Sequence, residues 1–147
     1  MPARLYPQPS NVVFDRSTEG TITLITQGTH TETGTINNII DKDLTTSYKS
    51  ASTGAEATRE TTIKFDYGKV LWNCQLFYKF ALNSAQSCYV RYSTDNTNWT
   101  NLEAASAGIS GTDAYQIISM RYLEFTAINT AGGAVDAEVF ECRLMGS

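Results

Sequence analysis

The chain is poor in the groups that perform chemistry. Its 147 residues include one histidine, three cysteines, two tryptophans and three prolines. The single histidine, His30, gives no oriented base beside a nucleophile, so no Ser/His/Asp or Cys/His arrangement can be built. Three cysteines without a C-x-x-C spacing leave little for a zinc site or a redox centre. Charged residues make up 18 %, below the usual quarter, and the net charge is −4. That balance argues against a phosphate-backbone binder, which would show a basic face, and so against nucleic acid as a partner. No apolar run reaches the ~18 residues that a membrane span needs, so no membrane insertion is expected. Residues 1–10 carry Arg4 with no apolar segment after it, which does not read as a secretory signal. The expectation is a chain kept in the cytoplasm, or one released by lysis on the surface of a virus particle.

Polarity comes instead from hydroxyls, with 20 Thr and 12 Ser. Thr and Tyr favour strands and Ser favours turns, so the composition leans all-β. Alternation supports this. Residues 20–27, G-T-I-T-L-I-T-Q, place Ile22 and Leu24 on one face. Residues 62–67, T-I-K-F-D-Y, set Ile63 and Phe65 against Lys64 and Asp66. Gly68–Lys69 reads as a turn, followed by a long apolar strand over 70–82. Residues 87–93 alternate again, and T-D-N-T-N-W-T at 94–100 reads as a tight turn. Strands are expected at 121–128 and 137–145, with polar loops at 28–38, 51–60 and 104–113. No segment has a 3.6-residue apolar period. Frequent short strands with turns between them read as an antiparallel sandwich. Pro2, Pro7 and Pro9 make residues 1–10 an extended arm. The domain reading is an arm and first strand over 1–20 and one sandwich over 21–147. Cys74, Cys88 and Cys142 alternate with apolar residues and read as buried thiols. A Cys74–Cys88 bridge stays open if their strands pair.

Three stretches in order resemble the discoidin family, which includes the coagulation factor V/VIII C-type domains and the family 32 carbohydrate-binding modules. I-I-D-K-D-L-T-T-S-Y at 39–48 is similar to the family's x-x-D-G-D-x-x-T-x-W. T-I-K-F-D-Y-G-K-V at 62–70, leading to Y-V-R-Y-S-T-D-N-T-N-W at 89–99, is similar to its Φ-x-I-D-L-G-K-V and Y-x-V-x-Y-S-T-D-G-x-N-W strands. R-Y-L-E-F-T-A at 121–127 and D-A-E-V-F-E at 136–141 resemble its last two strands. The resemblance covers residues 37–147. It implies a jelly-roll β-sandwich of the galactose-binding type, with about eight main strands and binding loops at one end.

The resemblance also implies a structural calcium ion. Its ligands would be the Asp43 and Glu138 side chains, Thr46, and backbone carbonyls including those of Ile39 and Asp41. Such an ion takes six to eight oxygens at 2.3–2.6 Å. Lys42 departs from the pattern, because the family has glycine there and glycine adopts φ > 0 freely. Tyr48 replaces a usual Trp and is expected to pack under this loop. Trp99 matches a structural Trp and is expected in the core. For a sugar or other ligand the polar candidates are His30, Arg59, Asp113 and Tyr115, all read as loop residues. Loops 51–60 and 104–113 hold no Trp or Phe to form a platform for a sugar ring. Asp41/Asp43 and Asp136/Glu138 are carboxylate pairs, but their context suits metal or turn roles rather than glycosidase chemistry.

The functional expectation is a non-catalytic adhesion module that binds a glycan or a protein surface through loops at one sandwich end. The alternative is a structural or decoration protein of a virus or phage particle, assembling as a homo-oligomer with the arm as its docking element.

Overall fold

The computed structural model describes residues 13–147. Most of the expected arm, residues 1–12, lies outside the described residues. Nine strands follow: β1 (Phe14–Asp15), β2 (Thr21–Gln27), β3 (His30–Thr33), β4 (Tyr48–Ser52), β5 (Arg59–Ser84), β6 (Ser87–Ser93), β7 (Thr100–Ala105), β8 (Ile109–Asn129) and β9 (Val135–Gly146). A 3₁₀ turn at Ile36–Ile39 is the one helical element among the described residues. No helix in them is long and apolar enough to cross a membrane.

All pairings are antiparallel, in the order β3-β4-β9-β5-β8-β6-β7, with β1 on β9 and β2 on β5. The register divides this network into two layers. Residues 59–66 of β5 pair with 122–129 of β8 and with β2, while β6 and β7 extend the other side. Residues 71–82 of β5 pair with 109–120 of β8, and β9 and β4 extend that layer. The β5–β8 ribbon therefore passes from one sheet to the other at a corner. The register shifts between Asp66 and Leu71, and Gly68 there has φ +81°, which an L side chain rarely tolerates. Arg121 secures the corner with two bonds to the Asp66 carboxylate, at 2.9 and 3.3 Å. Its guanidinium holds the Asp66 carboxyl below the usual range.

Between the layers lies one apolar core. Phe125 of the first sheet meets Tyr78 of the second edge-on, at 5.1 Å between centroids. Phe80 stands 6.1 Å from the same ring. Alternation in the sequence puts Ile63, Phe65, Leu76, Tyr78, Phe80, Val90, Leu123 and Val139 inward, all nearly inaccessible. The jelly-roll sandwich expectation is met, with eight longer strands among the described residues besides the two-residue β1.

Several local expectations change. Residues 28–38 are not one loop, because His30–Thr33 form β3 against β4. The Gly68–Lys69 turn does not end a strand, and β5 continues through it for 26 residues. Most of 104–113 is strand, so only three residues separate β7 from β8. These segments are rich in Gly, Ala, Ser and Thr, and their partners supply the pairing that their own propensity does not. Trp99 is outside the core. It is half-buried on the outer face, with the Arg91 guanidinium 4.2 Å from its ring centroid and Lys64 at 5.4 Å. The three cysteines are buried and free. Burial pushes the Cys74 and Cys88 thiols up to about 11 and Cys142 to about 12, so none is a reactive thiolate at neutral pH.

Candidate functional site

Three turns meet at one end of the sandwich: 28–30, 53–58 and 130–134. The Thr29 N–H and hydroxyl both donate to the Glu56 carboxylate, at 3.1 and 2.6 Å. Those bonds hold the Glu56 carboxyl below its ordinary range. Thr53 N–H donates to the Thr29 carbonyl at 2.8 Å, and Gly132 N–H to the Ala57 carbonyl at 2.7 Å. His30 opens β3 here. Its Nδ1 faces the Gly28 carbonyl at 3.1 Å, and its Nε2 is enclosed with no partner among the described residues. It is thus a strand residue with an enclosed ring nitrogen, not a solvated loop residue. Arg59 opens β5 at the same end and donates from Nε to the Glu56 carbonyl at 3.0 Å. Its remaining guanidinium donors suit hydroxyl or carboxylate acceptors.

Asp113 and Tyr115 are elsewhere. Both lie within β8, opposite Tyr78 and Leu76, not in a loop. They face the open side of the sandwich, where the edge strand β7 meets the edge half of β8. Tyr115 stacks on Tyr78, with centroids 6.0 Å apart. The Tyr78 hydroxyl donates to Glu103 of β7. Burial, with Asp113 adjacent, pushes the Glu103 carboxyl up to about 7. The four ligand candidates therefore fall into two places: His30 with Arg59, and Asp113 with Tyr115. Glu103, which joins the second pair, was not singled out by sequence because its partners are distant in the chain.

The Asp41–Thr46 loop lies beside β9. Asp41 accepts from the Asp43 N–H at 2.8 Å and from the Thr46 hydroxyl at 2.6 Å. Asp43 accepts from the Thr45 N–H at 2.9 Å and from its hydroxyl at 2.6 Å. Lys42 has φ +64°, the strained conformation expected where the family has glycine. Ile39 is fully buried and anchors the loop. Tyr48 is 2 % exposed and donates its hydroxyl to Glu32, matching the expected packing role. Glu138 is engaged by the Ser47 hydroxyl at 2.6 Å. Among the described residues no three His, Cys, Asp or Glu side chains stand together to hold a metal. A different carboxylate approaches the loop. The β5–β9 register shifts between Lys79 and Phe80, so Phe140 is the extra residue and Glu141 pairs with Lys79, on the face opposite the core pair Tyr78 and Cys142. Glu141 is inaccessible, and both its oxygens lack a hydrogen-bond partner among the described residues. Arg143 is 3.8 Å away, beyond hydrogen-bond range. Burial raises the Glu141 carboxyl, opposed by Arg143 and reinforced by the charge of Asp41. The sequence signal was only an acidic residue within a strand.

No sequence profile of a known family matches the chain, and no curated protein matches it. Solved structures do match in fold. The C-terminal domain of a chitobiase from Bacteroides fragilis aligns with TM-score 0.56 at 17 % identity, over 90 % of this chain and 96 % of that domain. The Clostridium perfringens module CpGH89CBM32-4, in complex with GlcNAc-α-1,4-galactose, gives 0.59 at 14 % identity, over 93 % and 96 %. Chitosan-binding module 2 from a Paenibacillus chitosanase/glucanase, in complex with chitotriose, gives 0.57 at 16 % identity, over 88 % and 98 %. The chain has the discoidin-like fold of family 32 carbohydrate-binding modules, in agreement with the resemblance read from its strands.

Proposed function

We propose that this chain is a non-catalytic module that recognises glycans. The carrying observation is the whole-length fold likeness to modules solved with GlcNAc-α-1,4-galactose and with chitotriose. The His30–Arg59 end supports it, since the Glu56 carboxylate, held by Thr29, and the Arg59 guanidinium stand together where three turns converge. Sugar hydroxyls both donate and accept, and a charged acceptor beside charged and neutral donors answers both needs. A glycan array probed with the full chain tests the proposal. Clean, competable binding is expected, and a blank array across neutral, cationic and acidic glycans would remove the reading.

Calcium at the 39–46 loop is the second element of the proposal. Asp41, Asp43, Thr46, the Ile39 carbonyl and Glu138 are the ligands that the resemblance implies. The buried Glu141 carboxylate beside Asp41 supports a cation there, since no hydrogen bond to it is found among the described residues and Arg143, at 3.8 Å, compensates it only in part. The ion would staple the loop to β9. A thermal melt decides. Calcium at millimolar concentration should raise Tm over that in chelator, because an ion that binds the folded chain stabilises it. Identical melts would retire the site.

A further inference from the structure

The outer surface near the corner holds features that the loop end lacks. Trp72 is 54 % exposed and Ile118 is 80 % exposed. Strand alternation explains both. Inward positions on β5 run Leu71, then Cys74, Leu76 and Tyr78; on β8 they run Met120, then Ile117. Both strands thus skip a step at the same level. Asn73 takes φ +51° there, and Trp72 and Ile118 are left facing out. A planar ring and a branched aliphatic chain remain in water although buried positions adjoin them.

Two grooves flank Ile118. One, of about 380 Å³, is lined by Val13, Asn73, Gln75, Gln116 and Ile118. The other, of about 420 Å³, runs to the open side past Tyr92, Thr94, Asn98 and Thr100. Gln116, Ile117 and Ile118 belong to both, so the grooves share one wall. Among the described residues that line them, none carries a charge. Among the described residues, the side-chain amides of Asn73, Gln75 and Gln116 make no hydrogen bond within the fold. Amides provide donors and acceptors together. The Trp72 ring lines neither groove, but it is next in sequence to Asn73 of the first and opposite Ser119 of the second. An exposed ring bordering unspent amides and hydroxyls complements a pyranose, which has an apolar C–H face and a rim of hydroxyls.

We infer that the Gln116–Ile118 ridge, with Trp72 alongside, is a binding cleft for uncharged oligosaccharides, separate from the His30–Arg59 end. The inference rests on the glycan-recognition reading and assigns it a second location. Uncharged ligands are specified because the described lining of both grooves is amides, hydroxyls and apolar groups, with no ion among them to pair with a uronate or an amino sugar. Two grooves of about 380 and 420 Å³ sharing one wall have room for more than one sugar ring, which favours chains over single sugars.

The test uses the full chain and four variants: Trp72→Ala, Gln116→Ala, Arg59→Ala and Trp99→Phe. Each is first melted. Trp72→Ala and Gln116→Ala should melt within about 3 °C of the parent, since exposed substitutions rarely move stability. All are then probed on an array of neutral oligosaccharides that includes GlcNAc-α-1,4-galactose. The expected result is binding that falls about tenfold or more in Trp72→Ala, falls in Gln116→Ala, and persists in Arg59→Ala. In Trp99→Phe, Trp72 is the only tryptophan, and its emission should shift to the blue when the best array hit is titrated. Binding lost in Arg59→Ala and kept in Trp72→Ala would overturn the cleft and leave the glycan reading standing. No neutral or charged glycan bound by the parent would overturn both. A dimer in sedimentation that Trp72→Ala dissolves, with glycan binding unchanged, would overturn the cleft and give the surface to a second copy.

Discussion

The two halves of the β5–β8 ribbon are built from the same pairing and have opposite characters. In the half that joins 59–66 to 122–129, flanking strands lie on both sides and even the outward groups are tied. Thr62 and Thr126 share a buried hydrogen bond at 2.8 Å. Glu124, 5 % exposed, holds Arg91 at 2.7 Å and Lys64 at 3.4 Å. In the half that joins 71–82 to 109–120, β8 is an edge strand among the described residues, and none of them covers the outer face around Trp72 and Ile118. Trp72, Gln75, Gln116 and Ile118 face water there. The first half is a scaffold whose polar groups are spent on each other. The second keeps its polar groups available. A recognition module needs both, because a ligand is held well only by groups on a rigid support.

The largest expected effect comes from the ring that both halves share. Phe125→Ala removes a fully buried side chain in contact with Phe65, Tyr78 and Phe80, and should cost about 3–5 kcal/mol in denaturant unfolding. A loss under ~1 kcal/mol would mean that the layers do not meet through this ring. Next is the scaffold's outer face. Glu124→Ala leaves two cations without their anion and should cost about 2–3 kcal/mol. An unchanged unfolding midpoint would put that face on the same footing as the open half.

The smallest effect is read from pH. Glu103, at the seam where β7 meets the open half, titrates at about 7 against an ordinary 4.5. Between those values the unfolded chain binds fewer protons than the folded one, so this group makes stability fall as pH rises from 4.5 to 7. The contribution is present in full below 4.5 and gone above 7. Glu103→Gln should flatten the Tm profile over that interval. An equally steep fall in the variant would assign the slope to another group.

Much of the scaffold half was legible in the sequence and less of the open half. Ile63 and Phe65 alternate with Lys64 and Asp66, and that period is local, so it was readable without partners. The turn at 94–100 was readable for the same reason. Its Asp95 accepts the N–H groups of Thr97 and Asn98 at 2.9 and 2.8 Å, which holds its carboxyl well below the usual range. The open half rests on distant pairing. Asp113 and Tyr115 looked like loop residues because Gly, Ala and Ser surround them, and only Tyr78 and Leu76 opposite make them strand. Trp72 read as one more apolar residue in a long strand, although Leu71 and Cys74 are three apart and already show the skipped step.

The sequence by itself determined the fold class, the inward residues of most strands, and a loop with two aspartates beside a strained lysine. These follow from alternation, turn chemistry and backbone sterics, which act over a few residues. Tertiary structure alone decided that β5 runs unbroken through Gly68, that a bulge at Phe140 pairs Glu141 with Lys79, and that His30 and Arg59 part from Asp113 and Tyr115. It also decided that Trp72 stays in water. Whether an outward side chain is covered depends on which strand lies beside it. Here the partner of β5 at Trp72 is, among the described residues, an edge strand with none of them packed over it.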